Sequence, residues 1–254
     1  MSSVQLDNRR IVVTGGASGM GASLVRALPA LGASVVSLDI AVEPGAQYAA
    51  EAGAVFVECD VTNDRSVNNA MSDAVKHLGG LDVLVHAAGI APGAPAAQIE
   101  VEAWDRIFAV NTTGTMLTNR AAHEHMKSTG GQIINFASAA GILGYPGKAA
   151  YAATKGAVVA WVRTIAVEWA PLGITVNAVA PAIKTPMYER TRAAMTPEQL
   201  ATHDEDLRKQ IPLTGELGDT HRDFVPVLAF LCSDGAKFIT GQVLPVDGGA
   251  LMMR

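Results

Sequence analysis

The chain is poor in several things that would mark other classes of protein. Only 5% of its 254 residues are aromatic, and only two are cysteine, Cys59 and Cys232, far apart in sequence. Two separated thiols make neither a disulfide framework nor a metal cluster, so both are expected as small buried apolar side chains. No apolar run reaches the eighteen or so residues needed to cross a bilayer, which argues against a membrane partner. Residues 1 to 10 are polar and lack the apolar core of a signal peptide, so a cytoplasmic location is expected. The net charge is −5 with the signs interspersed, which leaves no basic footprint for nucleic acid. Histidines with ligand spacing are lacking too. His86 stands alone, and His123 and His125, two apart, point to different helix faces, so no metal site is expected.

What is present is alternation. Ile11-Val12-Val13 reads as a buried strand, followed by Gly15-Gly16-Ala17-Ser18-Gly19-Met20-Gly21 and then Leu24, Val25, Leu28 and Leu31 at helical spacing. Glycines at 15, 19 and 21 suit a sharp turn with close approach to a ligand, and the helix start that follows suits a pyrophosphate. The spacing Gly-x-x-x-Gly-x-Gly differs from the commonest dinucleotide fingerprint and lacks the Lys-Ser/Thr of a P-loop. Further strands are expected at residues 34 to 38, 55 to 57, 81 to 85, 132 to 136, 174 to 179 and 240 to 246. Helices are expected at about 66 to 78, 102 to 127, 149 to 171 and 223 to 233. The long helix is poor in helix formers around Asn111-Thr112-Thr113-Gly114, which suggests a functional interruption.

Strand, helix, strand throughout argues an α/β fold: a doubly wound parallel sheet of about seven strands with helices on both faces. The length fits a single domain over residues 1 to 254, and the polar segment at about 182 to 212 is placed as a lid over a strand end. Asp39 ends the second strand, 18 residues after Gly21. A carboxylate there can accept hydrogen bonds from a ribose and repels a 2′-phosphate. No Lys or Arg follows before Arg65, so NAD is favoured over NADP. Asp60 and Val61 follow the third strand, where a side chain could reach an adenine edge, although a lone Asp is more often a turn residue. Tyr151 and Lys155, four apart on one helix, share a face. A lysine there can favour the phenolate, and a tyrosine with a lowered pKa can exchange a proton with an alcohol or ketone.

Taken together, these residues resemble the short-chain dehydrogenase/reductase family over essentially the whole chain. Thr14-Gly15-x-x-x-Gly19-x-Gly21 matches its cofactor fingerprint, and Asn111, Ser138, Tyr151 and Lys155 match its catalytic set, with thirteen residues from Ser138 to Tyr151. Pro181, Thr185 and Val246-Asp247-Gly248-Gly249 match later landmarks. Two places depart: His86-Ala87-Ala88-Gly89 stands where the family reads Asn-Asn-Ala-Gly, and Pro181-Ala182 stands for Pro-Gly.

The resemblance implies that Tyr151 is the general acid/base, that Lys155 holds the nicotinamide ribose, that Ser138 hydrogen-bonds the substrate oxygen, and that Asn111 holds a water leading from Lys155. It implies cofactor contacts at Gly15, Ser18, Gly19, Met20, Gly21, Asp39, Asp60, Val61, Ala88, Gly89, Tyr151, Lys155 and Pro181, with the Ile183 backbone and Thr185 hydroxyl fixing the carboxamide. It also implies a homotetramer. Ser138, Leu143, Tyr145, Tyr151, Met187 and Tyr188 form the expected substrate wall, mainly apolar with adaptable methionine, which suits a hydrophobic secondary alcohol or ketone. Two rivals share features of the sequence: a 3-oxoacyl reductase of fatty-acid synthesis, disfavoured by Asp39, and a non-catalytic nucleotide-binding regulator on the same fold, disfavoured by the intact Asn-Ser-Tyr-Lys set.

Overall fold

A computed structural model of the chain describes residues 4–252. The expectations placed on the Met187 side chain and on Met253 and Arg254 lie outside the described residues. Seven strands, β1 (Arg10–Thr14), β2 (Ser34–Asp39), β3 (Val55–Glu58), β4 (Val83–His86), β5 (Gly131–Phe136), β6 (Ile174–Pro181) and β7 (Val243–Val246), form one sheet in the order β3-β2-β1-β4-β5-β6-β7. Every pairing is parallel. The central strands are buried on both faces, which is why they read as continuous Val and Ile runs rather than as alternation. Chain order reverses between β1 and β4, the place where open α/β sheets bind ligands.

The helices are α1 (Gly19–Ala27), α2 (Val42–Ala52), α3 (Asp64–Leu78), α4 (Val101–Phe108), α5 (Gly114–Met126), α6 (Ala149–Trp169), α7 (Pro186–Ala193), α8 (Pro197–Gln210) and α9 (Val225–Cys232). One apolar core, with Met71, Leu84, Leu117, Met126, Ile133 and Val162, lies between the sheet and α3, α5 and α6. The other, with Leu24, Val25, Val85, Phe224 and Leu228, fills the opposite face under α1 and α9. Cys59 and Cys232 are both buried and unpaired, and burial raises their thiols to about 11 and about 12. Among the described residues, no helix is long and apolar enough to cross a membrane.

The structure corrects the sequence expectations in four places. The helix expected over 102 to 127 is two helices, α4 and α5, joined by a π-helical turn over Ala109–Thr113, the stretch of poor helix formers. A π turn likewise precedes α9 at Thr220–Phe224. α2 has no counterpart in the sequence reading, because Pro44 and Gly45 argue against a helix. Pro44 falls in the first turn, where proline is tolerated, and Gly45 lies against the Phe56 ring, which a Cβ there would have to displace. The segment 182 to 212 contains two capped helices. Thr185 caps α7 ahead of Pro186, and Thr196 with Gln199 forms a capping box ahead of α8. Lastly, β7 begins only at Val243, since Gly241 at φ 73 ends the extended run before it.

Candidate active site

The glycine loop joins β1 to α1, and its glycines do different work. Gly15 has φ 70, and a Cβ on it would lie 2.7 Å from the Ala88 amide nitrogen, so the loop lies directly on the end of β4. Gly19 has φ 53, and a Cβ there would meet nothing within 4 Å. Ser18 is the N-cap of α1 but makes no side-chain cap bond, and the first turn has no acidic residue. The first turn of α1 is therefore uncapped by any side chain, which leaves its amides to a pyrophosphate. Asp39 reaches into this loop: Oδ2 accepts from the Ala17 amide at 2.9 Å, and Oδ1 accepts from the Ala41 amide at 2.9 Å. Asp60 is half-buried, and its Oδ1 accepts from both the amide and the hydroxyl of Thr62, which is the behaviour of a turn residue. Val61 is buried against Gly114 at the start of α5.

Ser138, Tyr151 and Lys155 meet through a backbone contact. The short turn Ala139–Gly141 that follows β5 lies on α6, and a Cβ on Gly141 would sit 2.6 Å from the Lys155 carbonyl carbon. That approach brings the Ser138 hydroxyl close enough to the Tyr151 phenol to lower its pKa, while Ser138 Oγ accepts from the Ala140 amide at 3.2 Å. Lys155 is 5% exposed, and its Nζ donates to the Phe136 carbonyl at 2.6 Å and lies 5.8 Å from the Tyr151 ring centre. Burial lowers its pKa to about 8. The same environment raises Tyr151: desolvation outweighs the lowering by the Ser138 hydrogen bond. Lys155 was expected to pull the phenol down. Here the desolvation of the phenol is the larger effect, and Ser138 is the group that opposes it.

Asn111 sits in the π turn, fully buried. Its Oδ1 accepts from the Ile90 amide at 2.8 Å, and its Nδ2 donates to the Ile90 carbonyl at 2.9 Å and to Thr154 Oγ1 at 3.1 Å. The side chain is thus committed to clamping the loop after β4 to α6. Ala88 N donates to Thr14 Oγ1 at 3.2 Å, and a Cβ on Gly89 would lie 3.3 Å from Asn111 Oδ1, so Ala88 and Gly89 are fixed between the glycine loop and the clamp.

His86 fills the first departure from the family pattern. Its Nδ1 lies 2.8 Å from Thr14 Oγ1 and 3.0 Å from Thr118 Oγ1, and its Nε2 is buried without a hydrogen-bond partner. Burial, and secondarily the Lys155 charge, hold it at about 3, so the ring is neutral. It belongs to a polar row on one face of the sheet, Thr14, His86 and Asn135, that is covered by Thr118 and Asn119 of α5.

The segment expected as a lid is held by polar contacts around Tyr188, where an apolar substrate wall was expected. Thr185 Oγ1 accepts from the Tyr188 amide at 3.2 Å, and the bridge between Ile183 and Gly218 uses the Ala182 carbonyl and the Lys184 amide rather than the Ile183 peptide groups. Pro181 pairs with Val246 at the end of β6. Tyr188 directs its hydroxyl to His203 Nε2, 3.0 Å away on α8, beside the Arg192–Asp204 ion pair. Leu143 and Tyr145 form a partly exposed apolar rim after the Ser138 turn. Leu251 is buried, and its amide donates to Asp247 at 2.8 Å. Sequence reasoning missed Thr154, Gly141 and Lys148. Lys148 donates to the Ala91 carbonyl at 2.8 Å and carries no motif of its own.

A family model described as Enoyl-(Acyl carrier protein) reductase matches residues 15–250. The chain belongs to the short-chain dehydrogenase/reductase family. Members of this dehydrogenase family use a nicotinamide cofactor, and the uncapped start of α1 and the bare Gly19 fit one. Over 250 residues the chain is 38% identical to cis-4-hydroxycyclohexanecarboxylate dehydrogenase of Sinomonas cyclohexanicum, covering 95% of this chain and 96% of that one. It is 38% identical over 252 residues to 2,5-dichloro-2,5-cyclohexadiene-1,4-diol dehydrogenase of Sphingobium indicum, covering 96% and 97%. Among solved structures, levodione reductase superposes with a TM-score of 0.85 at 29% identity, covering 96% of this chain and 97% of that one.

Proposed function

We propose that the chain transfers a hydride between NAD(H) and a secondary alcohol or ketone on a hydrophobic, alicyclic ring. The observation that carries this reading is the packing of the Ser138 turn on α6 at buried Lys155, which brings the Ser138 hydroxyl to the Tyr151 phenol. The cofactor, when bound, accepts or gives the hydride. The protein's part is position and proton transfer. Tyr151 takes the proton from the alcohol or returns it to the ketone oxygen, and Ser138 holds that oxygen and stabilises charge developing on it. Lys155 binds the ribose and keeps a positive charge near the phenol. Asn111 holds the β4 loop in place and, as in the family the chain belongs to, a water leading from Lys155. The Ile183 peptide and the Thr185 hydroxyl fix the carboxamide.

Asp39 supports NAD rather than NADP, because a 2′-phosphate would meet its carboxylate with no basic residue alongside. The relatives named above act on hydroxyls of six-membered rings that differ in substituent, carboxylate in one and chlorine in the other, and this supports a ring alcohol as substrate class. α7 and α8 serve as the lid. A homotetramer, with exposed Trp104 of α4 and Val167 of α6 in its interfaces, is the proposed assembly. The test is a panel of cyclic and acyclic secondary alcohols and ketones with NAD and NADP, followed by nicotinamide absorbance. Turnover of ring alcohols with NAD is expected. Activity confined to sugars or acyl-carrier thioesters would overturn the reading.

A further inference from the structure

The walls around Tyr151 have an unusual charge pattern. The whole chain carries −5, yet there is no Asp or Glu between Asp82 and Glu100, nor between Glu124 and Glu168. Those two stretches supply the loop after β4, the Ser138 turn and the start of α6. Lys148 stands among them. It is half-buried at the N-cap of α6, three residues before Tyr151 and so one turn of about 5 Å from it. Its Nζ donates to the Ala91 carbonyl at 2.8 Å, and a Cβ on Gly93 would lie 3.2 Å from it. Two cations of the 182 to 212 segment are paired, Lys184 with Glu216 and Arg192 with Asp204. Among the described residues no carboxylate pairs with Lys148, and burial lowers its pKa with no acid opposing it. An ammonium partly withdrawn from water and held by one neutral carbonyl keeps donor capacity unused, and a bound anion would supply the missing partner.

We infer that Lys148 recognises a carboxylate on the substrate, so that the ring alcohol oxidised at Tyr151 is a hydroxy acid, with its acid group held a ring's width from the reacting carbon. This rests on the ring-alcohol reading above and narrows it. Lys148 is then a specificity-determining residue: it contributes to binding, and Tyr151 remains the group that exchanges the proton.

The test compares 4-hydroxycyclohexanecarboxylate, both isomers, with its neutral methyl ester, using NAD and the full-length enzyme. The wild type is expected to favour the acid. Lys148→Met is expected to lower the acid-to-ester ratio of kcat/KM by about tenfold to a hundredfold, the worth of a charged hydrogen bond, with the loss in KM rather than kcat. Lys148→Arg is expected to keep most of the ratio. Because both substrates are measured on one sample, the ratio does not depend on the fraction of enzyme folded. Equal loss on acid and ester in Lys148→Met would make the lysine only a clamp for the Ala91 loop and overturn the inference. A wild type that prefers the ester would overturn it while leaving the ring-alcohol reading intact. Turnover of neither compound, with other ring alcohols turned over, would overturn the inference alone; turnover of no ring alcohol would overturn both.

Discussion

Asn111 grips Ile90 by both of its peptide groups, accepting from its amide at 2.8 Å and donating to its carbonyl at 2.9 Å, while its second amide hydrogen reaches Thr154 on α6. One buried side chain thereby joins the π turn, the β4 loop and the helix that carries Tyr151 and Lys155. Asn111→Ala takes the partner from both Ile90 peptide groups and one donor from the Thr154 hydroxyl, which still donates to the Tyr151 carbonyl. It is expected to cost about 2–4 kcal/mol of stability, seen as a lowered midpoint in urea. Loss of turnover should exceed the loss of folded protein, since Ile90 and Gly89 are released beside the site.

Tyr151→Phe should fold normally and bind NAD, because it removes only the phenol oxygen and keeps the ring. Turnover of the best ring alcohol should fall by about a hundredfold to ten-thousandfold, the usual contribution of a positioned acid/base. Turnover left undiminished would remove Tyr151 from the mechanism.

The pH dependence of alcohol oxidation follows from the two effects on that phenol. Burial raises its pKa and the Ser138 hydrogen bond lowers it. The base form is needed for oxidation, so the rate rises with pH. Ser138→Ala removes the lowering contribution and should displace the rise to more alkaline pH, in addition to reducing kcat. A profile displaced toward acid would contradict the geometry.

Lys155 links the site to stability. Burial holds it at about 8 in the folded protein against an ordinary 10.5. Between those values the unfolded chain binds more protons than the folded one, so stability contributed by this group rises as pH rises through the window. Melting curves of wild type and Lys155→Met, compared across that window, should show wild type gaining on the variant with pH. A constant difference would mean that Lys155 is not desolvated as described.

Cofactor choice is expected to turn on Asp39. Asp39→Asn keeps an acceptor for the Ala17 or Ala41 amide but removes the charge that would repel a 2′-phosphate. The NADP-to-NAD ratio of kcat/KM should rise by about tenfold to a hundredfold, the scale of a partly screened charge–charge contact. An unchanged ratio would assign the preference to the loop shape instead.

Much of the fold and part of the site can be read from local pattern. Val and Ile runs ending in Gly, Asp or Ser give the strands and their functional ends, and the spacing of Tyr151 and Lys155 requires only that the segment be helical. What escaped the sequence depends on contacts remote in the chain. Pro44 and Gly45 look like a break until Phe56 is seen under Gly45. Gly141 looks like an ordinary turn glycine until it is found against the α6 backbone at Lys155. The sign of the Tyr151 shift depends on how deeply the phenol is buried, which no spacing states. The Thr196–Gln199 capping box, by contrast, is written in the sequence and was hidden only by the polar character of the segment around it.

The π turn at Ala109–Thr113 also acts as a phase setter between α4 and α5. Each residue of an α-helix advances the side chains by about 100° around the axis. Deleting one residue from the turn would rotate α5 by that amount against the sheet. Thr118 would leave His86, Asn119 would leave Asn135, and apolar side chains would be carried over the polar row. The insertion therefore keeps the rotation of one helix matched to the hydrogen-bonding atoms of three strands, and its length is under tighter constraint than its composition.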